Sequence, residues 1–307
     1  HKPWLTADRK NDWHYWPRHM AWLERDERRA VSEIEKLDES TDKILGLLED
    51  PKRTGMWDRR GLVVGNIQSG KTGNYSALIC KAADAGYKII IVLAGLYNNL
   101  RSQTQDRLEK TFLGFTTDDN NQKIIVGAGK YDQDASIMPN CGTRIKENGD
   151  FKKSNMGNFS ISPEIRPWLF VVKKNKSVLE NIVRWLKGIA TVPVQDRSNK
   201  VITDLPLLLI DDEADNASVD TASGAMNDDT PNEDHDPKTI NRLIRTILGY
   251  FTRKAYVGYT ATPFANIFIH DQAHTTDEGS DLYPSSFIIN LGTSSAYIGP
   301  DKVFGQD

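Results

Sequence analysis

The stretch Leu62-Val63-Val64-Gly65-Asn66-Ile67-Gln68-Ser69-Gly70-Lys71-Thr72-Gly73 decides how this chain is read. Three apolar residues lead into G-x-x-x-x-G-K-[ST] without a mismatch, and that spacing has a physical basis. Gly65 and Gly70 let the backbone curl so that successive N–H groups point at one anion. Lys71 can reach β- and γ-phosphates, and the Thr72 hydroxyl is placed to ligate Mg²⁺. A helix starting near Gly70 adds the positive end of its dipole. Gly65, Gln68, Ser69, Gly70, Lys71, Thr72 and Gly73 therefore form the expected cradle for ATP with Mg²⁺. The bland alternative is a Gly-rich turn with a solvated lysine, and the apolar run before the loop argues against it.

Outward from this loop the chain alternates apolar strands with helices. Strands are expected at 62–65, 88–94, 123–126, 168–173, 205–211, 255–260 and 287–291, and helices at 71–85, 97–112, 178–186 and 239–251. The run Leu205–Asp211 is almost wholly apolar, as a strand covered on both faces must be. Such alternation predicts an α/β fold, a mostly parallel sheet with helices on both faces, of the RecA-like P-loop type. Residues 57–307 form the expected ATPase lobe. Before it, residues 1–56 read as an aromatic and charged helical cap, with Trp4, Trp13, Trp16 and Trp22 ahead of an amphipathic stretch at 22–49. Two segments break the alternation: a polar insertion at about 116–166 and an acidic loop at about 216–238.

Composition narrows the classes. The chain has 307 residues, 38% hydrophobic, and a formal net charge of -3. No apolar run approaches the length needed to cross a bilayer, so no membrane partner is expected. Cys80 and Cys141 are too few for a disulfide scaffold and suit a reducing cytoplasm. The slight negative charge gives no global basic footprint, so any nucleic-acid contact must come from a local patch.

A phosphate loop needs a partner that holds the metal and prepares the attacking water. Leu207-Leu208-Leu209-Ile210-Asp211-Asp212-Glu213-Ala214-Asp215 supplies carboxylates at the C-terminal end of a strand, where ligands bind in open α/β sheets. Asp212 is the expected metal ligand alongside Thr72, and Glu213 the group that orients or deprotonates water. Lys71, Asp212 and Glu213 are thus the catalytic candidates.

Asp212-Glu213-Ala214-Asp215 resembles motif II of superfamily 2 helicases and translocases, as residues 65–72 resemble their motif I. Thr260-Ala261-Thr262-Pro263 is similar to their motif III, which implies coupling of the ATP site to a nucleic-acid track through Asp215, Thr260 and Thr262. Leu93-Ala94-Gly95 leading to Asn99-Leu100-Arg101-Ser102-Gln103 lies where motif Ia would touch a strand backbone. The blocks at 61–112, 171–186, 207–219 and 256–268 more closely resemble the bacterial Z-one domain family, over about 57–270. That resemblance implies a superfamily 2-type ATPase or endonuclease. Its partners would be DNA methyltransferases, nucleases or GHKL-type ATPases in restriction or phage defence.

The residues themselves do not supply a nuclease. A metal-dependent one needs clustered carboxylates plus a lysine on a strand, and Asp234-His235-Asp236 reads as a solvated loop. For DNA, the candidates are Arg101 and Gln103, then Lys173 and Lys174 with Asn175 and Lys176, placed after a buried strand on the edge that carries the ATP site. Arg144, Lys146, Lys152 and Lys153 form a weaker patch. Trp57, Asp58 and Arg59 lie close to the loop in sequence and are candidates for the adenine side. Too few residues follow Pro263 for a second RecA-like lobe, so the partner lobe is expected outside this chain. A small-molecule kinase would share the phosphate loop but has no need of Asp-Glu-Ala-Asp or Thr-Ala-Thr-Pro.

Overall fold

The computed structural model describes residues 2–65, 70–118, 123–146, 148–152, 166–193, 200–216, 236–267 and 281–292. A sheet of seven strands runs through it in the order β3-β4-β2-β7-β8-β1-β9. These are β1 (Trp57–Val64), β2 (Ile89–Ala94), β3 (Asn140–Cys141), β4 (Trp168–Val172), β7 (Leu207–Asp212), β8 (Arg253–Thr260) and β9 (Phe287–Asn290). Every pairing in that sheet is parallel. A small antiparallel pair, β5 (Val192–Pro193) and β6 (Lys200–Val201), stands apart.

Helices cover both faces, and residue alternation along the strands explains why. Ile90, Val92 and Ala94 of β2, with Leu208 and Ile210 of β7, face one core; Ile89, Ile91, Leu93, Leu207 and Leu209 face the other. The first core is closed by α1 (Tyr15–Arg25), α2 (Val31–Leu47), α3 (Lys71–Ala85) and α4 (Asn98–Leu108). A π-helical turn at Glu109–Leu113 extends α4. The second core is closed by α5 (Lys176–Ile189) and α6 (Pro237–Gly249). Both carry local start signals: Asn175 caps α5 by accepting from Val178 N–H, and Asp236 caps α6 with Pro237 in its first turn. A short α7 (Phe264–Ile267) follows β8.

The amino-terminal region is continuous with the core of the sheet domain. Trp13, Tyr15, Trp16, Ile44, Leu45 and Leu48 belong to the cluster that includes α3 and β1, and Trp22 packs with Leu23, Ile34 and Ala128. It forms two helices, the first starting at Tyr15, earlier than the pattern at 22–49 suggested. The polar insertion is also more integrated than its composition implies. Residues 123–126 do not add a strand to the sheet, because Thr116 N–H bonds Ile124 O and Val126 N–H bonds Gly114 O, closing a local loop. The edge strand is Asn140–Cys141 instead, and Phe151 is buried against Phe170 and Trp185. Among the described residues no helix is long and apolar enough to cross a membrane.

Candidate functional site

β1 points its C-terminal end at Gly65, whose N–H bonds Thr260 O at 3.0 Å. Gly70 takes φ +78°, a left-handed conformation that any Cβ would strain, and from there α3 starts at Lys71. Lys71 Nζ donates to Gly65 O at 2.9 Å, spanning the loop from its last turn to its first residue. Gly73 lies in the first turn of α3. Gln68 and Ser69 lie outside the described residues.

The sheet order puts β8 between β1 and β7, so Thr72 and Asp212 meet across the top of one strand. Both line a cavity of approximately 450 Å³ together with Ala94, Gly95, Gln103, Thr104, Arg107 and Glu213. Its size suits a small ligand. Asp212 Oδ2 accepts from Tyr75 Oη at 3.2 Å, and Oδ1 accepts from Glu213 N–H at 3.1 Å. Burial raises the Asp212 carboxyl above the usual carboxylate range, and the Tyr75 bond opposes that rise. Tyr75 is itself fixed by edge-on packing against Tyr259, whose hydroxyl donates to Asn74 Oδ1 at 2.9 Å.

The turn after β7 is tightly held. Glu213 is exposed and has φ +52°, unusual for a side chain of its kind. Ala214 is fully buried; its N–H bonds Tyr259 O at 2.9 Å and its carbonyl accepts from Asn266 Nδ2 at 3.0 Å. A Cβ on Gly258 would come within 2.9 Å of Ala214 Cβ, so the turn rests directly on β8. Asp215 accepts from Thr260 Oγ1 at 2.6 Å and from Thr262 Oγ1, while Thr262 N–H bonds Thr260 Oγ1 at 2.9 Å. The structure therefore brings Asp215, Thr260 and Thr262 into one network.

The basic residues are placed otherwise than the sequence suggested. Arg101 is fully buried on α4 and donates to Arg144 O at 2.9 Å and to Lys146 O, so its guanidinium holds the insertion and is closed to a phosphate. Lys174 is likewise interior, with Nζ 2.7 Å from Asp211 Oδ1. Neither side chain forms a surface site, because Arg101 turns inward from α4 and Lys174 from the loop after β4. Lys173 is half-buried and donates to Asn98 Oδ1 at 3.1 Å. Gln103 is exposed, but on the wall of the cavity that holds Thr72 and Asp212. Trp57, Asp58 and Arg59 start β1, at the end opposite Gly65 and about 20–26 Å from it at the usual strand rise. Trp57 packs on Tyr87, Asp58 pairs with Arg60 and Arg59 with Glu49, so these residues are no adenine site. Asp234 and His235 lie outside the described residues, and Asp236 is the cap of α6.

Tyr75 was not singled out from sequence. Its signal was there in the helical spacing, since position 75 lies three and four residues after Thr72 and Lys71 on α3.

Mg²⁺ fits this donor set. Among the described residues no group of three or more His, Cys, Asp or Glu could hold a metal alone. Mg²⁺ with a nucleotide needs only one or two protein oxygens, because phosphates and waters fill its octahedron. Thr72 and Asp212 supply that number. Of the comparisons with known proteins, the scan of protein-family models gives no match to this chain, and no curated protein matches it.

Proposed function

We propose that this chain is the ATP-binding lobe of a superfamily 2-type, nucleic-acid-dependent ATPase acting on DNA, of the RecA-like P-loop kind and related to the Z-one domain family. The observation that carries the reading is the linked pair of networks at one sheet edge. Thr72 and Asp212 share a cavity, and the turn bearing Glu213 is bonded to Thr260 and Thr262 through Asp215. A nucleoside triphosphate would lie with its phosphates on the Gly65–Thr72 loop and Lys71 against the β- and γ-phosphates. Thr72 and Asp212 would hold Mg²⁺, which when bound neutralises charge developing between the β- and γ-phosphate oxygens. Glu213 carries its exposed carboxylate beside that site, where it would orient a water and take its proton. The Asp215 link to the end of β8 gives a track bound beyond Thr262 a mechanical route to Glu213. A role in bacterial restriction or phage defence follows from the family resemblance.

The test is steady-state ATP hydrolysis by the full-length protein with and without single- and double-stranded DNA, beside Glu213→Gln. Stimulation by DNA, with turnover in the variant reduced about a hundredfold or more while ATP still binds, is the expected result. Hydrolysis indifferent to DNA would remove the motor reading and favour an ATP-gated switch, and absence of nucleotide binding would remove the site itself.

A further inference from the structure

The loop after β4 carries a lysine whose whole length is buried, and its ammonium ends inside the turn that presents Glu213. Lys174 and Asp211 are both 0% exposed, with Nζ and Oδ1 2.7 Å apart. Nζ also donates to Glu213 O at 2.6 Å and to Asn216 O at 3.0 Å. The other oxygen of Asp211 accepts from Tyr256 Oη at 2.7 Å, so this carboxylate is fixed from β8 as well. Lys174 N–H bonds Gly95 O at 2.9 Å, at the end of β2. One residue therefore ties together the C-terminal ends of β2 and β7, reaching from β4 across the strand between them.

What the ammonium holds is strained. Glu213 sits at φ +52°, a left-handed conformation that a non-glycine residue holds only where its surroundings impose it. Its carbonyl accepts two bonds, from Asn216 N–H at 2.9 Å and from Lys174. Bonds from Tyr259, Asn266, Thr260 and Thr262 fix Ala214 and Asp215, whereas the carbonyl of Glu213 itself is held by Asn216 N–H from within the turn and by Lys174 from outside it. A merely structural lysine needs a counter-ion; this one also places two of its donors on backbone carbonyls of the turn.

We propose that Lys174 is a positioning residue for hydrolysis: it holds the backbone at Glu213 in the left-handed region and so aims the Glu213 carboxylate at the attacking water. This rests on the reading of Glu213 given above. Charge neutralisation of Asp211 is its second task, and the two tasks can be separated. Lys174→Met keeps the buried stem and removes the donors, but leaves Asp211 charged and buried. Lys174→Met with Asp211→Asn also removes that charge, so the fold recovers while the grip on Glu213 does not.

The experiment compares full-length wild type, Lys174→Met and the double variant in three readouts: melting temperature, Mg-ATP affinity against turnover, and hydrogen exchange of peptides covering 212–216. The expected result for the double variant is a melting temperature near wild type and ATP affinity within about twofold. Its turnover falls at least tenfold, and exchange in 212–216 is faster by a similar factor. Recovery of wild-type turnover together with stability would mean that Lys174 only balances Asp211, and would overturn the proposal. Unchanged exchange at 212–216 would overturn it too, whatever the turnover. If wild type bound no Mg-ATP, the nucleotide-site reading would fail by itself, and the exchange readout would still decide whether Lys174 holds the turn.

Discussion

Arg101 illustrates how a basic side chain in a motif-like position can be structural. Its stem starts on α4 beside the cavity, yet its guanidinium runs inward and donates to the carbonyls of Arg144 and Lys146. Those carbonyls belong to the segment that also sends Thr143 Oγ1 to Gln105 and accepts Val171 N–H, so Arg101 stitches the insertion to the edge of the sheet. Arg101→Ala removes the donors that tie Arg144 O and Lys146 O to α4, at a cost of about 2–4 kcal/mol for the set. For a chain of this size that is a fall in melting temperature of roughly 3–6 °C. The slope of DNA affinity against salt should stay as in wild type, because no phosphate contact is lost. An unchanged melting temperature with a flatter salt slope would return Arg101 to the surface.

Among the elements, α1 is joined to α3 by one carboxylate. Asp84, in the last turn of α3, accepts from the N–H groups of His14 and Tyr15 through Oδ1 and from Trp16 through Oδ2. It thus caps a helix to which it does not belong. Burial lifts its carboxyl to about 6, against the lowering pull of those three N–H bonds. A folded-state value above the ordinary 3.8 means the folded protein holds the proton more tightly than the unfolded chain. The corresponding stability is complete below about pH 4 and is lost as pH rises through about 6. Wild type should therefore lose up to about 2 kcal/mol between pH 4 and pH 7 that Asp84→Asn does not lose. Melting curves of both proteins across that range check it. Parallel profiles, or a wild type that gains stability with pH, would mean that the three N–H groups win and the carboxyl stays ionised. How legible such elements were depended on range. Helix α3 and strands β2, β7 and β8 follow from local pattern, because continuous apolar runs and a start just after Gly70 identify them without neighbours. The Thr72–Asp212 meeting was expected from the chemistry of the two motifs and the Asp215–Thr260 meeting from the resemblance to helicase motifs II and III, not from strand order. Asp84, Arg101 and Lys174 were not legible: each is a charged residue whose burial depends on a partner far along the chain, and a charge read alone defaults to solvent.

On the scale of the molecule, the two faces of the sheet are unequal, and the inequality locates the amino-terminal region. One face is covered by α5 and α6 from within the alternating part of the chain. The other is covered by α3 and α4, and these are in turn covered by α1 and α2. Lys81 of α3 makes this layering explicit, since it is fully buried, pairs with Asp38 and Asp42 of α2, and lies over the Trp16 ring of α1. Asn74, one residue from Tyr75, donates to Ser40 of α2 at 3.0 Å while accepting from Tyr259, so the same layer backs α3. A chain beginning at Arg53 would lose Trp13, Tyr15, Trp16, Ile44, Leu45 and Leu48 from the core. At about 1.5–3 kcal/mol for each buried side chain, that loss matches or exceeds the roughly 5–15 kcal/mol that holds a typical domain folded. It would also strand Lys81 against an apolar face without its carboxylates. The shortened chain should show no cooperative unfolding transition, and its Mg-ATP binding should be weaker by at least tenfold. A sharp transition near the wild-type temperature, with nucleotide affinity intact, would make residues 1–52 a separable cap after all.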